Sequence, residues 1–114
     1  MTNEGYAKAV AGGEIIEVAV NGSDTAIAFC GRKNAEVCGL YVHPDHQGNG
    51  IGRTLLERAE AAIIAAGHRR IAIRASLSAV PFYRSCGYAE IGRTEFTSRG
   101  GLVISAANLE KIIA

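Results

Sequence analysis

Val42-His43-Pro44-Asp45-His46-Gln47-Gly48-Asn49-Gly50-Ile51-Gly52-Arg53-Thr54 joins two segments of different period. An apolar, strand-like run from Val37 to Val42 enters it, and residues 55–66 leave it with helical spacing. Between them Gly48, Gly50 and Gly52 stand at alternate positions, where the backbone is free to take φ > 0 and to approach a ligand closely. A strand feeding such a loop, and a helix starting from it, aim unpaired N–H groups and the positive end of a helix dipole at one spot. The stretch therefore predicts an anion site, most often one for phosphate. Two familiar glycine loops fail on spacing. G-x-G-x-x-G read from Gly48 needs a third glycine where Arg53 stands, and G-x-x-x-x-G-K-[ST] read back from Gly52 needs one at Gln47.

The whole chain, residues 1–114, is expected to form a single domain with one core. Hydrophobic residues make up 48%, charged ones 20%, and the net charge is +1, so no basic block points to nucleic acid or an anionic membrane. No apolar run approaches the ~20 residues that a bilayer span needs. The first residues show no basic-then-apolar leader, so a cytoplasmic location is expected. Cys30, Cys38 and Cys86 are odd in number and include no C-x-x-C pair, which argues against a disulfide framework or a zinc site. His43, Asp45 and His46 lack helical i, i+4 spacing and a distant fourth ligand, so no metal is expected either.

Outward from the loop, Glu14–Val20 and Thr25–Cys30 read as β-branched strands joined at Asn21-Gly22 by a turn that Ser23-Asp24 lengthens. Thr25, Ile27 and Phe29 would share a side. Gly31–Asn34 reads as a polar turn, with Arg32 and Lys33 solvated, and Ala35–Val42 as the third strand. Leu55, Leu56, Ala59, Ala62, Ile63 and Ala66 then mark one face of a helix over residues 51–66, closed by Gly67; Glu60 falls on the polar face. Arg69–Arg74 alternates as a strand. Ala79–Ser85 is a short helix with Ser78 as N-cap and Pro81 in its first turn, and Gly87 closes it. Tyr88–Arg93 and Leu102–Lys111 are the final strands, joined through a Thr94–Gly101 turn, while residues 1–13 read as a loose lead-in. The order β-β-β-α-β-α-β-β predicts a mixed, mainly antiparallel α+β sheet with helices on its faces. One parallel pair follows from the strand–helix–strand step, with the glycine loop at the carboxyl end of a central strand.

Gln47-x-x-Gly50-x-Gly52 resembles the [QR]-x-x-G-x-[GA] pyrophosphate loop of the GNAT N-acyltransferase superfamily. Ala35 to Pro44 is similar to the strand that precedes that loop. Ala75-Ser76-Leu77-Ser78-Ala79-Val80-Pro81-Phe82-Tyr83-Arg84-Ser85-Cys86-Gly87-Tyr88 resembles the second GNAT signature, with Ser76 in place of its asparagine, and Leu109-Glu110-Lys111 its closing strand. The resemblance covers residues 14–112 and implies the acyl-CoA N-acyltransferase fold. It departs at the N-terminus, where the usual strand and helices before Glu14 have no counterpart. A sheet without its first strand would expose an edge and invite a homodimer.

The resemblance further implies an acetyl-CoA-dependent N-acetyltransferase, transferring acetyl to an unidentified primary amine by direct attack in a ternary complex. The alternative is a weak or inactive acyl-CoA-binding or partner-binding module of the same fold. Backbone groups of Gly48, Asn49, Gly50, Ile51, Gly52 and Arg53 would hold the pyrophosphate of coenzyme A, with Gln47 shaping the loop. Leu40, Tyr41 and Val42 would pair with the pantetheine arm, and Ser76, Ala79 and Phe82 would add contacts from the second signature. A strand interruption near Leu40 would free an N–H for the thioester oxygen. Tyr83 is the candidate general acid and Glu36 the candidate base.

Overall fold

The structure, a computed structural model, describes residues 5–113. Among the described residues seven strands form one sheet: β1 (Gly5–Ala11), β2 (Glu14–Val20), β3 (Ala26–Lys33), β4 (Glu36–Val42), β5 (Arg70–Ser76), β6 (Ala89–Thr97) and β7 (Val103–Ile112). Their order is β1-β2-β3-β4-β5-β7-β6, with β4 and β5 the one parallel pair. Helix α1 (Ile51–Ala65) crosses from β4 to β5, and the short α2 (Val80–Ser85) from β5 to β6.

The lead-in expectation is corrected at β1. Residues 5–11 pair in full register with β2 through the two-residue turn Gly12-Gly13, whose φ values of 58° and 82° suit glycine. The edge of the sheet thus belongs to β1 and not to β2; residues 1–4 lie outside the described residues. No helix separates β1 from β2. The polar turn expected at residues 31–34 is shorter, because β3 runs on to Lys33 and Asn34, at φ 54°, makes a tight turn with Ala35. Strands β5, β6 and β7 reach Ser76, Thr97 and Ile112, past their expected ends.

Two β-bulges break the simple alternation. On β3, Val20 faces Ala26 while Ala19 faces Ala28, so Ile27 is the extra residue. Ile27 and Ala28 are consequently both buried and Phe29 is exposed, against the expectation that Ile27 and Phe29 share a side. On β4, Cys38 is extra between Val37 and Gly39, which face Arg32 and Gly31.

Both helices pack on one face of the sheet rather than on both. Leu55, Leu56 and Ile63 of α1 join Val37, Ile71 and Leu109 in a core with Val80 and Tyr83 of α2. Each fully buried aliphatic side chain there contributes roughly 1.5–3 kcal/mol. The helix face also buries charge that the sequence pattern puts in solvent. Arg58 Nε donates to Glu17 Oε2 at 2.8 Å, Arg32 Nη1 lies 4.0 Å from Glu17 Oε1, and the Arg58 guanidinium sits 4.1 Å above the Tyr6 ring. This cluster fastens β1, β2 and β3 to α1. Glu60, placed on the polar face by periodicity, is instead buried; it accepts from Tyr88 Oη at 2.6 Å and from Lys111 Nζ at 3.3 Å. Ala66, by contrast, is exposed.

Candidate functional site

The parallel ladder between β4 and β5 is short. Glu36 pairs with Ala72 and Val37 with Ile73, and the strands then separate although β4 continues to Val42 and β5 to Ser76. Beyond Val37 the edge of β4 facing β5 therefore has no strand partner. On the helix face this splay opens into a cleft of about 650 Å³. Leu40 and Val42 form its β4 wall, Gln47, Gly48, Gly50, Ile51, Gly52 and Arg53 its loop-and-α1 end, and Ala79, Phe82 and Tyr83 its α2 wall.

The loop end is built to present donors. Gly48 and Gly50 take φ of 83° and 79°, and Gly50 is the N-cap of α1 without a side chain to cap it. The first N–H groups of a helix have no intrahelical acceptor, so those of the first turn of α1 point into the cleft unclaimed by a cap. The first turn carries no acidic residue; it carries Arg53, whose Nη2 donates to Ser85 O at 3.2 Å. Gln47 Nε2 donates to Val42 O at 3.1 Å, tying the loop back to β4. Gly52 serves packing rather than an unusual φ. A Cβ there would lie 3.2 Å from Val42 Cγ2 and 3.7 Å from Phe82 Cζ, so only glycine lets α1 start this close to the strand.

Tyr83 lies opposite that end, 6% exposed, its ring edge-on to Phe82 at 5.2 Å and to Tyr88 at 6.0 Å. Burial, followed by the nearby Cys30 and Cys86, pushes its hydroxyl up to about 12. It therefore stays protonated throughout the neutral range. Cys30 is buried beneath the cleft and is likewise pushed up to about 12, chiefly by burial, which makes it an inert packing group.

The sequence profile of the Acetyltransferase (GNAT) domain matches residues 4–105. The chain belongs to this GNAT family. A GCN5-related N-acetyltransferase from Rhodopseudomonas palustris superposes with a TM-score of 0.82 at 25% identity over 89% of this chain and 62% of its own. YjaB from Escherichia coli gives 0.70 at 26% identity, over 87% and 65%. A chimera of the spermidine N-acetyltransferase SpeG from Vibrio cholerae and hSSAT gives 0.70 at 20%, over 89% and 68%. The chain thus spans less than two thirds of the first two relatives. No curated protein matches it significantly.

Most of the residues singled out in the GNAT signatures converge on the cleft, and four do not. Tyr41 faces the other side of the sheet, 47% exposed and stacked on Phe29 at 5.6 Å. Asn49 and Ser76 are outside the lining, Ser76 Oγ lying 3.2 Å from Ser78 Oγ. Glu36 is exposed at the start of β4, one residue before the splay, on the helix-free face and away from Tyr83. Two lining residues were missed: His46, weighed only as a metal ligand, and Ser78, assigned as an N-cap. Ala79, which has no side-chain acceptor, stands at the N-cap of α2 in place of Ser78, because a 3-10 turn over Leu77–Ala79 precedes the helix. That turn swings Ser78 toward the cleft, and no period-based signal encodes it.

Proposed function

We propose that the chain is an acetyl-CoA-dependent N-acetyltransferase that passes the acetyl group directly to a primary amine. The single observation that carries this reading is the opening of the uncapped α1 N-terminus and the Tyr83 hydroxyl into one cleft alongside an unpaired strand edge. A pyrophosphate fits the loop end, where backbone N–H groups, the helix dipole and Arg53 favour an anion. An extended, amide-bearing arm fits the free edge of β4, between the apolar side chains of Leu40, Val42, Ala79 and Phe82. An N–H on that edge would polarise the thioester carbonyl, an oxyanion contribution of about 3 kcal/mol.

In this reading Tyr83 protonates the departing thiolate. A phenol held near 12 is a weak acid, yet the apolar wall that raises it also raises the basicity of a thiolate desolvated beside it. The proton is thus retained until sulfur carries charge. The test is calorimetric titration with acetyl-CoA together with thiol release measured across an amine panel. Tyr83→Phe should lower kcat about 100-fold while leaving acetyl-CoA affinity unchanged. Binding without turnover on any amine would favour an acyl-CoA-binding module of the same fold.

A further inference from the structure

Resting on the acyl-transfer reading, we propose that Glu14 is the carboxylate that receives the acceptor amine and takes its proton, from the helix-free face of the sheet. The helix side of the splay is filled by the donor cleft and its α1 and α2 walls, so a second substrate reaches the same splay from the opposite face. On that face Glu14, at the start of β2, reaches across β3. A Cβ added to Gly31 would lie 2.3 Å from Glu14 Oε1 and 3.2 Å from Cδ, so the carboxylate rests directly on a glycine.

Gly31 is in register with Gly39 of β4, where an added Cβ would meet nothing within 4 Å. Two adjacent glycines, with the Cys38 thiol against the Glu14 carboxylate beside them, therefore line the way from that carboxylate to the point where β4 leaves β5. The β4 bulge falls in the same place, and burial, then the charges of Glu14 and Glu36, push the Cys38 thiol up there. Beyond the glycines on this face lies the stacked Phe29–Tyr41 pair. Lys33, beside Glu36 in the β3–β4 register, and Arg74, exposed on β5, are the cations bordering the patch.

Two carboxylates beside an exposed aromatic pair fit a cationic amine with a flat apolar body. Glu14 takes one proton from the ammonium, and the freed lone pair attacks the thioester carbon. The N–C bond forms as the C–S bond breaks, and the sulfur takes the Tyr83 proton. The nitrogen's second proton leaves to solvent, solvent returns a proton to the phenolate, and Glu14 gives up the proton it took, which restores its carboxylate. Net, one proton is released per transfer.

The experiment compares wild type, Glu14→Gln and Gly31→Ala, using acetyl-CoA with phenethylamine and with phenylalanine. Glu14→Gln should lower kcat/KM for phenethylamine about 100-fold, abolish the acid limb of its pH profile and leave acetyl-CoA affinity within twofold. Gly31→Ala, which displaces the carboxylate, should do the same, and Glu14→Asp should restore part of the rate. Turnover of Glu14→Gln within twofold of wild type overturns the assignment, and preference for phenylalanine overturns the acceptor class. A wild type that binds acetyl-CoA but acetylates neither amine overturns the role of Glu14 and leaves the donor cleft standing. Failure to bind acetyl-CoA overturns the donor cleft itself, and the role of Glu14 with it.

Discussion

The two faces of the sheet obey different rules. Under the helices, side chains from β2 to β7 meet α1 and α2 in one dry layer, and the charged groups found there are paired. On the other face no described helix covers β1 to β4, and Phe29 and Tyr41 stack in the open. The covered face is selected for volume, because a buried methylene lost leaves a cavity; the bare face tolerates glycine, bulges and half-exposed carboxylates. Holding a donor needs the first kind of surface. Admitting a second substrate needs the other.

The strongest way to break this contrast is to remove one carboxylate from each face. Glu60→Ala strands the Tyr88 hydroxyl and leaves the Lys111 ammonium only the Cys86 carbonyl, and should cost roughly 3–5 kcal/mol in chemical denaturation. Glu14→Gln, on the bare face, should stay within about 0.5 kcal/mol of wild type. Equal losses at the two sites would mean that the second face is covered by something. Truncating one apolar residue on each face sharpens the same point at smaller amplitude. Leu55→Ala should cost roughly 2–5 kcal/mol, since Leu55 is fully enclosed. Tyr41→Ala should cost about 1 kcal/mol, the worth of an exposed cross-strand aromatic pair.

The covered face was legible in the sequence because its period is regular. Leu55, Leu56, Ala59 and Ile63 announce α1, and Ile71 and Ile73 announce β5, each by spacing alone. The glycine loop was legible because its chemistry is backbone chemistry, written as the positions of glycine. The bare face was not, since its geometry depends on two bulges, at Ile27 and Cys38, that reverse the alternation without any local marker. Glu60 was misplaced because helical period gives direction and not depth; its partners, Tyr88 and Lys111, come from 28 and 51 residues away. β1 escaped notice because GYAKAVA is mostly small residues, which carry little strand signal until β2 supplies a partner.

The last expected effect concerns Tyr83 itself and its dependence on pH. Its folded-state value near 12 lies above the ordinary phenol value of 10, so the folded state binds the proton more tightly than the unfolded chain does. That contribution is fully present below pH 10 and is lost as pH rises through 12, because the unfolded tyrosine ionises first. Between pH 10 and pH 11 the loss should be about 1 kcal/mol. Tyr83→Phe removes the titrating group while keeping the ring, so its stability should fall less steeply across that interval than wild type. Tyr88, also raised, chiefly by burial and then by its bond to Glu60, is retained in both proteins and cancels in the difference. A Tyr83→Phe protein with the wild-type alkaline slope would mean that burial does not hold the phenol proton in the folded state.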